Sequence, residues 1–128
     1  VFDTINEESI YPNIIANYYK AMNNNTMDAN VYYSEYVSQY INKKNTNPSE
    51  INQIINSSSE FIDLEANVIG SEVIISGLNS RQAWVNLSCY RTSKKKFQTC
   101  RVKVEFVFDS ENKINSYKEL EVKDLKFN

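Results

Sequence analysis

Apolar residues follow a helical spacing in the first half of the chain. In NEESIYPNIIANYYKAMNNN they recur every three or four residues up to a run of asparagines, which predicts a helix with Pro12 near its first turn. Thr26 then predicts the N-cap of a short helix over about 27–33. Pro48 predicts the entry of a third helix in NPSEINQIINSSS. Residues 36–41 leave helix and strand open, and NKKNTN is predicted as a loop.

Near residue 60 the apolar period changes from 3.6 to 2. Ile62, Leu64, Ala66 and Val68 alternate with more polar positions, as in a strand with one buried face, and Gly70 predicts a bend or bulge before SEVIISG. GLNSRQ and SENK are predicted turns around the long strands AWVNLSCYR, FQTCRVKVEFVFD and KINSYKELEVKDL. Helices followed by an antiparallel meander predict one α+β domain over residues 1–128, with the helices on one face of the sheet.

The central hairpin is predicted to turn through a four-residue loop, 93–96, closed by Thr92 and Phe97. This register places apolar residues opposite one another on a single face, because a slip of one residue would turn the whole set outward. The predicted pairs are Val85 with Val104, Leu87 with Val102 and Cys89 with Cys100.

Cys89 and Cys100 are the only cysteines in the chain. In the predicted register they form a non-hydrogen-bonded pair, whose Cβ atoms come within disulfide reach. Two interpretations stay open: a disulfide, favoured in an exported protein, or two reduced cysteines that act as small core hydrophobes. Two thiols without histidine fall short of a zinc site, so no metal and no cofactor are expected.

The composition excludes several classes of function. The net charge of −2 argues against a nucleic-acid binder, and the absence of histidine excludes Ser-His-Asp and Cys-His catalysis. No apolar run is long enough to span a bilayer. Because the sequence starts at Val1, an upstream export signal or anchor stays open.

Basic residues cluster on the central hairpin, at Arg91, Lys94, Lys95, Lys96, Arg101 and Lys103. The favoured interpretation is a solvated tip that also discourages edge pairing. The sharper alternative is contact with phosphate or with an acidic partner.

Three segments, NIIANYYKAMNNNTMDAN, NPSEINQII and VKVEFVFDSENKINSYKELEV, together resemble the nuclear transport factor 2-like superfamily, which has the cystatin-like α+β fold. YYKAMNNNTMD is similar to the end of the family's first helix, and FVFDSENKINSYKELE to its last two strands and their turn. The resemblance implies a strongly curved antiparallel sheet that wraps the first helix to form a cone. Members range from steroid isomerases, dehydratases and cyclases to transport factors and envelope proteins of secretion machines, so the fold selects no function.

Isomerase-like members of the family place an Asp base and a Tyr or Asp oxyanion donor inside the cone. The inward positions of the central hairpin carry no acid or base here: Val85, Leu87, Cys89, Cys100, Val102, Val104, Phe106 and Phe108. Polar groups of a pocket would have to come from the helices and the outer strands, and Tyr32 and Tyr40 are among the tyrosines that could supply them. The candidate lining residues of an apolar pocket are Tyr18, Tyr19, Tyr33, Tyr36, Asp63, Leu87, Val102 and Phe106. Core packing is the favoured role for most of the tyrosines, and solvent exposure for Asp63.

The opposite face of the hairpin carries large aromatic residues among polar ones, which is typical of a protein contact. The interface candidates are Trp84, Tyr90, Arg101 and Lys103; alternatively, Trp84 stacks under Lys103 or Arg101 within a monomer. We therefore expect a non-catalytic binding or assembly domain, bacterial and extracytoplasmic, that acts as a homodimer, with a protein partner or on a small apolar ligand. The alternative is a small-molecule isomerase, dehydratase or cyclase with a tyrosine-lined pocket, and a cytoplasmic location stays open.

Overall fold

The computed structural model describes residues 2–57, 59–69 and 73–128, with side chains from Ile10 onward. The bend predicted at Gly70 lies outside the described residues. Within these ranges, three helices and seven strands follow one another: α1 (Phe2–Asn23), α2 (Ala29–Tyr32), β1 (Val37–Tyr40), β2 (Lys43–Thr46), α3 (Pro48–Ser57), β3 (Phe61–Val68), β4 (Ile74–Gly77), β5 (Ser80–Arg91), β6 (Lys96–Phe108) and β7 (Ile114–Phe127).

Helix α1 ends at the asparagine run, as predicted. Asn25 adopts a left-handed φ of 58°, and the Thr26 N–H donates to the Ala21 carbonyl at 2.9 Å, which closes the last turn. The predicted position of Pro12 is wrong: it lies inside the helix, because α1 already begins at Phe2. Because of the polar residues before Ile10, the apolar periodicity did not show that the helix begins at Phe2.

Helix α2 is shorter than predicted and has a different N-cap. Asp28 accepts a hydrogen bond from the Asn30 N–H at 3.0 Å, whereas Thr26 belongs to the end of α1. Helix α3 begins at Pro48, as predicted. The Asn47 side chain caps α3, since its Oδ1 accepts from the Glu50 N–H at 3.0 Å and its Nδ2 donates to Glu50 Oε1 at 3.1 Å.

The segment before α3 forms strands. Part of the predicted loop NKKNTN is β2, which pairs antiparallel with β1. Strand β1 runs parallel to β7, with Gln39 beside Ser116 and Tyr40 beside Tyr117. The sheet is therefore mixed, although mostly antiparallel. Periodicity over four-residue strands could not reveal a pairing between segments so far apart in the chain.

The strands form one curved sheet in the order β2-β1-β7-β6-β5-β3, and β4 also pairs with β5. The helices lie on its inner face, where the core contains the inward residues of β5 and β6. Val85, Val102, Val104, Phe106 and Phe108 are each at most 2% exposed. The predicted α+β fold, with N-terminal helices packed on a curved sheet, is thus confirmed.

The register of the β5–β6 hairpin differs from the prediction by two residues. Val85 lies opposite Val102 and Cys89 opposite Gln98, so the correct side chains face inward but their partners differ. The loop covers 92–95, with Lys95 at a φ of 53°. This register places Tyr90 opposite Phe97, and the two rings make an edge-to-face contact at 5.1 Å. Such a cross-strand aromatic pair offsets the strain of a left-handed lysine.

One side chain joins the end of α1 to β3. Asn23 Nδ2 donates to the Ala66 carbonyl at 2.9 Å, and the Ala66 N–H donates to Asn23 Oδ1 at 2.7 Å. Ala66 is buried, so an Asn23→Ala variant leaves two buried backbone groups unpaired. We expect it to lower the free energy of unfolding by about 1–3 kcal/mol. Urea denaturation measures this loss, and Asn24→Ala, at an exposed neighbour, is the control. Equal midpoints for the two variants would show that the contact contributes nothing.

Candidate functional site

Five tyrosines meet inside the cone, between α1 and the sheet. They come from α1, from the end of α2, from β1 and from β7: Tyr18, Tyr19, Tyr33, Tyr40 and Tyr117. Phe106 of β6 lies among them, with ring centroids 5.6 Å from Tyr18 and 4.9 Å from Tyr117. All six residues are buried, so aromatic rings fill the interior of the cone.

Four of the tyrosine hydroxyls are paired with one another. The Tyr18 and Tyr33 hydroxyl oxygens are 2.8 Å apart, and those of Tyr19 and Tyr117 are 3.0 Å apart. Each pair satisfies buried polar atoms without water. The Tyr19–Tyr117 pair therefore joins α1 to β7, and the Tyr18–Tyr33 pair joins α1 to the residue that ends α2.

Burial raises the pKa of all five tyrosines, because the cone disfavours the phenolate. The pKa of Tyr40 rises to about 12, and the other four lie well above their usual value. These side chains are neutral near pH 7. They can donate a hydrogen bond there but do not act as bases.

Glu119 is an acid whose charge acts on this cluster. It lies opposite Val104 on β7, and its charge adds to the rise in the pKa of Tyr18, Tyr19, Tyr40 and Tyr117. Partial burial of the carboxyl raises the pKa of Glu119 itself, although the residue still reaches solvent. A carboxyl group thus stands at the margin of the tyrosine cluster.

The structure places the candidate pocket residues in two different environments. Tyr18, Tyr19, Tyr33, Val102 and Phe106 belong to the core, with Leu87 partly buried against it. Tyr36 is 58% exposed and donates its hydroxyl hydrogen bond to Asn45. Asp63 is exposed at a bulge of β3, with a φ of 53°. Neither Tyr36 nor Asp63 lines the cone.

Sequence reasoning missed Tyr117 and Glu119. Both lie on the inner side of β7, opposite Phe106 and Val104. Their spacing of two residues in SYKELE was an available signal. A polar final strand offered no reason to look for a buried side chain there.

Trp84 and Arg101, on the outer face of the hairpin, each contact a residue of β7. Lys123 Nζ, rather than Lys103 or Arg101, lies 4.6 Å from the Trp84 ring centroid. Arg101 forms an ion pair with Asp124 at 3.3 Å. Tyr90 remains partly exposed beside Phe97, which is 52% exposed.

The basic hairpin end is also partly engaged. Arg91 pairs with Glu60 at 3.0 Å and lies 4.5 Å from the Phe61 ring centroid. Lys94 Nζ lies 5.2 Å from the Phe127 ring centroid. Lys94, Lys95 and Lys96 are all exposed, so contact with phosphate or an acidic partner stays a prediction.

Cys89 and Cys100 are buried free thiols, and burial raises the pKa of each. Cys100 lies opposite Leu87, so the two cysteines are diagonal neighbours instead of a direct pair. Diagonal positions are further apart than a disulfide prefers. Both side chains act here as small core hydrophobes.

Within the described ranges, no group of three or more His, Cys, Asp or Glu side chains is arranged to hold a metal ion. None of the described helices is both long and apolar enough to cross a membrane. A surface groove of about 460 Å³ lies between α1, α2 and the β6–β7 turn, and a depression of about 690 Å³ lies beside α2 and α3. The five buried tyrosines line neither of them.

Solved structures with the same fold cover almost the whole chain. An NTF2-like protein of unknown function from Exiguobacterium sp. 255-15 superposes with a TM-score of 0.66 at 10% identity, covering 87% of this chain and 98% of that protein. Hexachlorocyclohexane dehydrochlorinase LinA-type3 from Novosphingobium barchaimii LL02 gives 0.70 at 5% identity, covering 99% and 93%. Delta 5-3-ketosteroid isomerase from Mycobacterium sp. gives 0.65 at 8% identity, covering 90% and 95%.

No protein-family profile and no curated protein matches the sequence. The superpositions with solved structures show that the chain has the nuclear transport factor 2-like fold, as the sequence resemblance implied. At these low identities the likeness concerns the fold alone.

Proposed function

We propose that the chain is a non-catalytic binding or assembly domain that acts through the surface of its sheet. The observation that carries this proposal is the filled cone. Tyr18 and Phe106 are at most 1% exposed, and the Tyr18 hydroxyl is paired with that of Tyr33. An enzyme of this architecture would need room for a substrate between α1 and the sheet.

Exposed apolar groups support action through the sheet. Ile62, Tyr90 and Phe97 lie side by side across β3, β5 and β6, and Ile62 is 40% exposed. Such a row is typical of a protein contact. Within this proposal, Trp84, Tyr90, Arg101 and Lys103 are the candidate residues of a sheet-face dimer. An extracytoplasmic location of the domain also belongs to the proposal.

A small apolar probe tests whether the cone is closed. On saturation with benzene, we expect the ring NMR signals of Tyr18 and Phe106 to keep their positions, because an already filled core has no space for the probe. Signals from the exposed Phe97 ring are the internal control for contact at the surface. Saturable shifts confined to Tyr18 and Phe106 would contradict the closed cone and the proposal with it.

The second candidate function is a small-molecule enzyme, and Glu119 is the observation that favours it. The raised pKa of this carboxyl beside neutral tyrosines provides an acid and hydrogen-bond donors at one place. Two proteins of the same fold are a ketosteroid isomerase and a dehydrochlorinase. A Δ5-3-ketosteroid is therefore a suitable trial substrate. We expect no isomerisation above the rate of a Glu119→Gln variant; turnover that this variant loses would favour the enzyme.

A further inference from the structure

Strand β7 has an unpaired edge over most of its length. On one side it pairs with β6 as far as Phe127, whereas on the other its pairing with β1 reaches only Ser116 and Tyr117. In the described part of the chain, no other strand lies beside residues 118–127. The backbone N–H and C=O groups of this edge are therefore open to a further strand.

The same edge exposes large apolar side chains. Every residue from Glu119 to Asn128 is exposed. Val122 is 53% exposed, Leu125 54% and Phe127 37%. A long edge strand with apolar side chains is a template for pairing, which soluble proteins normally cover or interrupt.

A bulge brings these apolar residues to one face. Arg101 lies opposite Lys123 and Thr99 opposite Lys126, so Asp124 and Leu125 together oppose Cys100, and Asp124 has a φ of 53°. In a regular strand, residues 122 and 125 would point to opposite faces. With the bulge, Val122, Leu125 and Phe127 share the inner face, and Glu121, Lys123 and Lys126 share the outer face.

We propose that a second copy of the chain pairs with this edge, β7 antiparallel to β7, about a two-fold axis at Lys123. The inference rests on the proposed assembly function, names a second copy as the partner and assigns the contact to the β7 edge in place of the sheet face. In this register the bulge residue Asp124 has no partner of its own, so Val122 meets Leu125 of the second copy on the inner face. Glu121 meets Lys126 of the second copy on the outer face. Because of the two-fold symmetry, each favourable pair occurs twice in the dimer.

The central lysines do not oppose this arrangement. Lys123 Nζ lies 3.6 Å from Glu121 Oε2 and leans across β6 onto the Trp84 ring, away from the free edge. The paired segment starts beyond Tyr117, where β1 ends, so β1 does not obstruct the second copy. Charges, apolar residues and available length all agree with one self-complementary register.

Exchanging the charges of the outer-face pair tests this register. Sedimentation equilibrium should give a dimer for the unmodified chain. Glu121→Lys and Lys126→Glu each place like charges opposite one another twice, and we expect each to raise the dimer dissociation constant about tenfold. The double variant E121K/K126E restores opposite charges and should return to within about threefold of the original value.

Further variants make the outcome decisive. Val122→Lys should abolish the dimer, whereas Ile75→Lys, at a similarly exposed residue on β4, should leave it intact. A monomeric unmodified chain, or single exchanges that the double variant does not rescue, would overturn the edge pairing. A dimer disrupted by Trp84→Asp but not by the charge exchange would also overturn it and assign the contact to the sheet face. None of these sedimentation results tests whether the cone is filled. The benzene experiment therefore tests the proposed function independently of the edge pairing.

Discussion

A Phe106→Ala variant is expected to lose about 3–5 kcal/mol of folding free energy. Phe106 is fully buried, and its ring lies within 6.1 Å, centroid to centroid, of Tyr18, Tyr19, Phe108 and Tyr117. Removing the ring loses its burial and leaves a cavity whose walls are the large rings of other elements. Those rings cannot collapse inward without breaking the hydroxyl pairs that hold them.

Such a loss is a large fraction of the 5–15 kcal/mol typical of a domain. Urea denaturation followed by circular dichroism measures it. Phe97→Ala is the matched control, because the same ring is removed from a position that is 52% exposed. If both variants unfolded at the same urea concentration, Phe106 would not be the centre of the core.

Alkaline pH is expected to unfold the protein. Each buried tyrosine has a folded-state pKa above its value in the unfolded chain. The folded state then retains protons that the unfolded state releases, so stability is fully present below pH 10 and falls as the pH rises through the folded-state values. For Tyr40, the rise in pKa from 10.0 to about 12 corresponds to roughly 3 kcal/mol of stability lost by the time the tyrosine is ionised in both states.

Absorbance at 295 nm reports phenolate, and circular dichroism reports folding. We expect the buried tyrosines to ionise together with the loss of circular dichroism, in one cooperative transition above pH 10. Tyr36→Phe, at an exposed position, should leave that transition unchanged. Ionisation of all the tyrosines near pH 10 with the fold intact would show that the cone is open to solvent.

The closed cone distinguishes this chain from what its fold alone suggests. An isomerase and a dehydrochlorinase share the architecture, yet here paired tyrosine hydroxyls and Phe106 occupy the interior. A fold sets where a cavity can form, and the side chains decide whether it is empty. The exposed sheet surface and the free edge of β7 then become the regions from which function is inferred.

Most of the sheet could be predicted because alternation is a local signal. Val85, Val102, Val104 and Phe106 were assigned to the inner face, and all four are buried there. The pairing of those residues was not predictable to the same accuracy. A shift of two residues keeps every side chain on its face, so the apolar pattern cannot distinguish the two registers. The contact between Tyr90 and Phe97 favours the observed one.

The candidate site was predictable only in part. Tyr18 and Tyr19 belonged to the apolar stripe of the first helix, and Tyr33 was a pocket candidate whose favoured role was core packing. Tyr117 and Glu119 were missed, because Tyr117 is buried by β6 and by elements more than sixty residues earlier in the chain, and Glu119 is an exposed residue beside the same cluster. Asp63 was a candidate only because of its carboxyl group, and at a bulge of β3 this side chain is exposed to solvent.

By itself, the sequence determined the helical first half, the stranded second half and the apolar inner face of β5 and β6. Those features depend on the spacing of residues within one element, which is readable along the chain. Tertiary structure alone decided that β1 runs parallel to β7, that the tyrosine hydroxyls pair and fill the cone, and that β7 keeps a free edge. Each of these features depends on which distant segments come into contact when the chain folds. The spacing of residues within one element does not show which segments those are.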